Sequence, residues 1–124
     1  MKNELDKLRQ MLKYAQIPFE DVRELWTIEG ITNSMIHLHG ECGKYRRNQI
    51  IYGAYHGKHE NIRCNWKFDA ICQAGSYGAR EGLIETYGDL GCDKKGQPRV
   101  MTAKEAFEII KADWDKTLDK NNKV

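Results

Sequence analysis

The sequence predicts an α+β fold, a single domain in which helices pack on one face of an antiparallel sheet. Three observations predict it: an amphipathic helix near the start of the chain, an alternating strand in its middle and a capped helix near its end. The chain has 124 residues, of which 40% are hydrophobic and 31% are charged. This composition is typical of one globular domain with a core of modest size, and burial between copies of the chain is a natural way to add stability.

The first helix is predicted over residues 3–16. Its apolar stripe consists of Leu5, Leu8, Leu12 and Ala15, and the charged residues placed away from that stripe are Glu4, Lys7, Arg9 and Lys13. The helix ends at Ile17, because a residue that precedes proline disfavours helical backbone angles. For residues 19–26 the pattern leaves two alternatives, a second short helix or a loop that leads into a strand.

The middle of the chain has the patterns of β-strands. Residues 34–39 alternate, and residues 49–52 form a short apolar run. The clearest strand is predicted over residues 62–72, whose apolar face consists of Cys64, Trp66, Phe68, Ala70 and Cys72. Alternation of this kind belongs to an antiparallel sheet with one covered face.

Two more helices are predicted after the strands. Residues 80–90 allow about three helical turns, ending at Gly91, with a buried stripe of Leu83, Ile84, Tyr87 and Leu90. A turn follows over residues 93–98. Residues 102–105 then form a capping box, which begins a last helix whose apolar positions are Ala106, Phe107, Ile110 and Trp114.

The turn before the predicted third helix is the main candidate for a ligand site. Unpaired amides at a helix start carry partial positive charge, so the amides around Gly75 and Ser76, with Arg80 one turn inside, suit a phosphate or pyrophosphate. Tyr77 is available to stack on a base. The alternative is a tight connection in which Ser76 only caps the helix and the glycines only permit the turn. Neither glycine fingerprint for nucleotide phosphates is present, and both interpretations stay open.

A second candidate is an arginine framed by aromatic residues. Phe19, Arg23 and Trp26 follow the first helix at helical spacing. The guanidinium can contact a phosphate through two hydrogen bonds while the rings stack on a base. The pattern favours the alternative, in which the rings are buried in the core and Arg23 is solvated.

Metal binding and catalysis have little support in the sequence. Residues with zinc-binding side chains cluster as His37, His39 and Cys42, and as His56, His59 and Cys64. Neither cluster has the regular spacing of a structural zinc site, and the H-E-x-x-H and G-x-S-x-G motifs are absent. We therefore predict a protein that is not an enzyme and needs no cofactor or metal. A zinc-dependent nucleotide hydrolase is the alternative.

Charge and hydropathy bear on the partners and the compartment. Twenty basic residues face 18 acidic ones, which gives too weak a field to argue for nucleic-acid binding. The basic residues 44–48 can contact single-stranded nucleic acid or keep an edge loop soluble; the overall charge favours the loop, and a nucleic-acid-binding regulator is an alternative. No apolar run approaches the ~20 residues that cross a bilayer. The first residues lack the apolar middle of a signal peptide, which predicts a cytosolic protein with mostly reduced cysteines.

Part of the chain resembles small phage and prophage proteins. The residues that carry the resemblance are 69–72, 75–78, 81–85 and 101–107, together with Gly88. In this layout and in length the chain is similar to the first-described anti-Thoeris family. These are phage proteins that bind and sequester the cyclic ADP-ribose isomer made by a bacterial TIR-domain defence enzyme. The resemblance covers mainly the C-terminal half of the chain.

The resemblance implies a non-enzymatic protein that holds a cyclic nucleotide signal intact in the cytosol of the infected host. It also implies a dimer or a larger homo-oligomer. The charge balance and the apolar runs predict that neither nucleic acid nor a membrane is its partner. The site residues come from the physical patterns instead. They assign the phosphate contacts to Arg23, Arg80 and the amides around Ser76, and the base contacts to Phe19 and Tyr77.

Overall fold

The computed structural model describes residues 3–23, 25–27, 44–46, 48–54, 66–73 and 76–122. Its helices are α1 (Glu4–Tyr14) and α2 (Ala103–Asn122), and a short 3₁₀ turn covers Ala79–Glu81. Its strands are β1 (Glu20–Val22), β2 (Leu25–Thr27), β3 (Lys44–Arg46), β4 (Gln49–Ala54), β5 (Trp66–Ile71), β6 (Ile84–Tyr87) and β7 (Arg99–Met101).

Five of these strands form one antiparallel sheet in the order β1-β4-β5-β6-β7, and β2 pairs with β3 in a separate two-stranded sheet. Strands β4 to β7 are neighbours both along the chain and in the sheet. The apolar side chains of α1 and α2 join those of β4, β5, β6 and β7 in one buried cluster, so both helices pack on the same face of the sheet. The predicted α+β class is confirmed.

Helix α1 forms where the leucine stripe predicts it. The side chain of Asn3 accepts a hydrogen bond from the amide of Asp6 at 2.9 Å, which caps the first turn. Of the predicted stripe, Leu5, Leu8 and Leu12 are completely buried, and Ala15 at the end of the helix is half-buried. Each of these leucine side chains contributes about 1.5–3 kcal/mol when it leaves water. The helix gives way to a turn in which Gln16 has a φ of 58°, just ahead of the predicted stop.

Arg9 is the exception on α1. We predicted it away from the buried stripe, and that prediction was wrong, because only 2% of its surface is exposed. Its Nε donates to Asp21 at 2.7 Å, its Nη1 donates to Asp6 at 2.8 Å, and its Nη2 contacts Asn48. Arg9 follows Leu5 by one helical turn and therefore lies on the inner face. Partners from β1 and from the residue before β4 offset the cost of burying its charge.

The region after α1 is extended. Of the two alternatives for residues 19–26, the structure contains strands rather than a helix. In β1, Glu20 is paired with Ile51 of β4, and in β2, Leu25 is paired with Arg46 of β3. Among the described strands, the short strand β1 thereby lies at one edge of the main sheet.

The predicted alternation of the central strand is confirmed over the part of it that the structure describes. Strand β5 turns Phe68 and Ala70 into the core, and Cys72 just after it is also buried. Lys67 and Asp69, on the other face, are half-buried. The strand predicted over residues 34–39 lies outside the described residues, as do all four histidines of the chain.

The helix predicted over residues 80–90 is wrong. Only the 3₁₀ turn forms there, and Gly82 follows it with a φ of 73°. The chain then enters β6, in which Ile84 and Thr86 are completely buried at a spacing of two residues. Thr86 satisfies its hydroxyl by donating to the Gly91 carbonyl at 2.7 Å. The sequence did not reveal the two-residue period of this strand because one of its buried positions is a polar threonine. The leucine and tyrosine residues of the segment have the spacing of a helical stripe.

Helix α2 begins with the predicted capping box. The Glu105 amide donates to Thr102 Oγ1, and the Thr102 amide donates to Glu105 Oε1, each at 3.3 Å. Glu4 of α1 adds a carboxylate acceptor for the amide of Ala103 at 3.0 Å. Hydrogen bonds from Lys7 and Ala103 lower the pKa of Glu4. The starts of the two helices are therefore joined. No helix among the described residues is long and apolar enough to cross a membrane.

Candidate functional site

A cavity of about 410 Å³ lies between the segment that precedes β1, the end of β4 and the second half of α2. We call it the aromatic cleft, because Phe19, Tyr52 and Trp114 line it, together with Ile51, Lys67 and Thr117. Phe19 and Trp114 are half-buried and pack against the hydrophobic core, so the core holds them in place. Among the described lining residues the cleft thus combines aromatic walls with one lysine and one glutamate, Glu20, an arrangement that suits a flat ligand with a polar group.

Gly53 places the lysine of the cleft. Its φ is 69°, and a Cβ built on it comes within 2.9 to 3.0 Å of the Lys67 side-chain stem. In the β4–β5 register, Tyr52 lies opposite Phe68 and Ala54 lies opposite Trp66. The side-chain stem of Lys67 packs against Gly53, which lies between Tyr52 and Ala54. The absence of a side chain at Gly53 therefore lets Lys67 lie close to the backbone and extend towards α2.

A carboxylate on α2, that of Asp113, binds two of the side chains that line the cleft. Asp113 Oδ2 accepts a hydrogen bond from the Tyr52 hydroxyl at 2.6 Å and forms an ion pair with Lys67 Nζ at 3.0 Å. Burial opposes ionisation of Asp113, but the Tyr52 hydrogen bond and the Lys67 charge outweigh it and lower its pKa. Burial and the same carboxylate raise the pKa of Tyr52. Asp113 is therefore ionised and Tyr52 is protonated at neutral pH.

A second cavity of about 330 Å³, the lysine cavity, lies on the other side of Lys67. Its lining consists of Lys67, Asp113, Lys116, Thr117, Asp119 and Lys120. It shares Lys67 and Thr117 with the aromatic cleft, so the two cavities adjoin. One pole of the combined groove is aromatic and the other is rich in ammonium groups.

Phe19 and Arg23, which the sequence pattern combines in one candidate site, lie in different surroundings. Phe19 lines the aromatic cleft. Arg23 is 55% exposed and lies 3.5 Å from Asp21, which already binds the buried Arg9. For Arg23 the solvated alternative agrees with its exposure. The backbone of Trp26 lies in β2, and its side chain is outside the described residues.

The Ser-Tyr turn is self-contained. Ser76 Oγ donates to the Gln73 carbonyl at 2.7 Å and accepts from the Gln73 amide at 3.0 Å. The Tyr77 amide donates to the Glu85 carboxylate at 3.2 Å, and the Ser76 amide donates to the Gln73 carbonyl. These amides therefore already have acceptors, one of them anionic. Since no regular helix follows, the argument from a helix start does not hold. Gly75 lies outside the described residues.

Arg80 lies on the exposed 3₁₀ turn and lines a third cavity of about 370 Å³ with Lys7. The carboxylates of Glu4 and Glu81 line the same cavity, and Lys7 is paired with Glu4 at 2.7 Å. Phe19 and Arg80 thus line different cavities. The five predicted site residues that the structure describes do not come together around one ligand position.

Thiols and metal ligands add no site within the described ranges. These contain no group of three or more His, Cys, Asp or Glu residues arranged to hold a metal ion. Cys72 and Cys92 form no disulfide among the described residues. Burial raises the pKa of both, which makes them poor nucleophiles at neutral pH.

Sequence reasoning missed most of the groove. Lys67 was assigned to the polar face of its strand, Trp114 to the core stripe, and Tyr52 to an apolar run. The one available signal was the helical spacing of Asp113, Lys116, Thr117 and Lys120, which predicts a polar stripe along α2. Whether this polar stripe lies near Phe19 depends on how β1 pairs with β4.

No protein-family model matches the chain, and no curated protein or solved structure shows significant similarity to it.

Proposed function

We propose that this protein binds and holds a small anionic ligand with an aromatic base, and that it does so without cleaving the ligand. The observation that supports this most directly is the aromatic cleft adjoining a group of lysines at Lys67. The ligand we propose is a cyclic ADP-ribose isomer, the class that the resemblance to the anti-Thoeris family implies. The setting we propose is the cytosol of an infected bacterium, with the protein as a homo-oligomer that removes the defence signal.

The aromatic walls support recognition of a base. Phe19 and Trp114 are anchored in the core yet border the cavity, so little conformational entropy is lost when a ring packs against them. Stacking of a base on an aromatic side chain is worth roughly 1–3 kcal/mol. A cavity of about 410 Å³ is within the range of small-molecule sites.

The polar groups of the cleft support holding rather than turnover. Tyr52 and Lys67 both bind the Asp113 carboxylate. Burial and the Asp113 carboxylate raise the pKa of Tyr52, whereas the contacts with Tyr52 and Lys67 outweigh burial and lower the pKa of Asp113. Neither group is therefore poised to exchange a proton near neutral pH, as a general acid or base would be. The same network fixes the ammonium of Lys67 at the boundary of the two cavities.

Isothermal titration calorimetry with cyclic ADP-ribose and its isomers tests the proposal. We expect saturable binding, and mass spectrometry of ligand released by heating should recover its mass unchanged. Trp114→Leu, which keeps apolar bulk but removes the ring, should weaken binding about tenfold or more. Tyr14→Ala is the matched control, because Tyr14 is 93% exposed and does not line the cleft.

Three results would contradict the proposal. The absence of binding to any isomer would refute the ligand class. Conversion of the ligand by purified protein, lost after metal chelation, would instead support the hydrolase alternative. Binding to single-stranded nucleic acid that falls steeply with salt and depends on residues 46 and 47 would support the regulator alternative.

A further inference from the structure

The lysine cavity has the residue arrangement of an anion subsite. Asp113, Lys116, Thr117 and Lys120 recur at spacings of three and four residues and so lie along one face of α2. Lys67 reaches the same cavity from β5. Two secondary-structure elements therefore direct ammonium groups to a common space, which distinguishes this cavity from an ordinary solvated helix face.

The charges of this cavity are unequally neutralised. Lys67 is paired with Asp113 at 3.0 Å. Among the described residues, neither Lys116 nor Lys120 lies within 4.0 Å of a carboxylate oxygen in an ion pair. Asp119 is the only other acidic side chain that lines the cavity among these residues. An anion placed there meets two ammonium groups that form no ion pair among these residues, although the charge of Lys116 also acts on Asp113.

The hydroxyl of the shared Thr117 is already committed. Its Oγ1 donates to the Asp113 carbonyl at 3.0 Å, so its proton is not offered to a ligand. Recognition in the lysine cavity therefore rests on ammonium groups, which bind phosphate as point charges rather than through a fixed fork of hydrogen bonds. Such a site selects charge density more than shape, as a phosphate or pyrophosphate offers.

We propose that the lysine cavity is the phosphate subsite of the same ligand whose base occupies the aromatic cleft, with Lys116 and Lys120 as its binding residues and Lys67 at the junction. The inference rests on the proposed function and deepens it. It assigns to α2 the phosphate-binding role that the sequence had assigned to the turn before β6. A ligand that occupies both cavities must carry a phosphate within a short distance of its base, as a nucleotide does through its ribose.

The test compares two double variants that lose the same charge. Lys116→Ala/Lys120→Ala should weaken binding of cyclic ADP-ribose about tenfold or more, and should leave binding of adenosine, which has no phosphate, within about twofold. Lys94→Ala/Lys95→Ala is the control, because both lysines are exposed in the turn before β7. It should change neither affinity by more than about twofold. All four lysines are exposed, so circular dichroism should show unchanged folding.

Inorganic pyrophosphate separates this inference from the proposed function. Titrated with chelator present, it should perturb the amide resonances of residues 116–120 in the wild type and not in Lys116→Ala/Lys120→Ala. If no cyclic ADP-ribose isomer binds, but pyrophosphate perturbs these resonances in the wild type and not in the double variant, the ligand class is wrong and the subsite stands. If cyclic ADP-ribose binds equally to both double variants, or if pyrophosphate perturbs no resonance of α2, the subsite is refuted whatever the fate of the function.

Discussion

Replacing Arg9 by methionine is the most direct test of how this fold is held together. The substitution keeps the apolar stem but removes a guanidinium that contacts Asp21, Asp6 and Asn48. Removing one partner of a buried ion pair typically costs 3–5 kcal/mol. The side chains of Asp6 and Asp21 are 38% and 29% exposed, so water can solvate them afterwards. We therefore expect a loss near the lower limit, about 3 kcal/mol, out of the 5–15 kcal/mol typical of a domain.

Arg23→Met is the matched control, because Arg23 faces the same Asp21 oxygen at 3.5 Å but is 55% exposed. An exposed pair of this kind contributes roughly 0.2–1 kcal/mol. In urea denaturation, Arg9→Met should lower the midpoint by about 2 M, given a slope of roughly 1.5 kcal/mol per molar. Arg9→Lys should fall between the two, since one ammonium cannot replace a three-way fork. Equal midpoints for Arg9→Met and Arg23→Met would show that the buried network does not stabilise the fold.

Two further substitutions examine the walls of the cleft. Tyr52→Phe removes a hydrogen bond to the ionised Asp113 and should destabilise the protein by about 1–2 kcal/mol at pH 7. Because the folded-state pKa of Asp113 is lowered, this contribution to stability is present above the unfolded pKa of about 4 and is lost as pH falls through the folded value. A difference in melting temperature between the wild type and Tyr52→Phe that grows on acidification would contradict this prediction. Gly53→Ala and Gly96→Ala both place alanine at positive φ, but only Gly53 has a side chain against it. Gly53→Ala should therefore cost about 1 kcal/mol more than Gly96→Ala in chemical denaturation, and equal losses would show that the lysine stem moves away freely.

The sequence predicted those elements in which the apolar period and the end signals agree. Helix α1 has a leucine stripe that ends before a proline, and α2 joins its stripe to a capping box; both form as predicted. Strand β6 was missed because its buried positions are Ile84 and Thr86, and a polar core residue breaks the alternation on which strand prediction depends. Arg9 was misplaced for the corresponding reason, since its burial depends on acceptors supplied by distant segments.

The candidate groove was beyond sequence reasoning for a geometric reason. Its aromatic walls come from residues 19, 52 and 114 and its central lysine from residue 67. Their meeting requires the register of β4 against β5 and the packing of α2 across the sheet. Local patterns identified Phe19 as a candidate contact, and the structure lines the cleft with it, but no spacing rule connects it to Trp114. The Ser-Tyr turn was singled out for its glycines, of which Gly78 has a φ of 80°.

The hydrogen bond between Glu4 and Ala103 has a practical consequence for handling the protein. It fixes the start of α1 beside the start of α2, whereas the 20 residues of α2 extend about 30 Å away from that point. Trp114 and Lys120 lie in the half of α2 remote from Glu4. A fluorophore or fusion partner attached ahead of α1 therefore leaves the groove accessible, while one attached after Asn122 emerges next to the lysines and obstructs them.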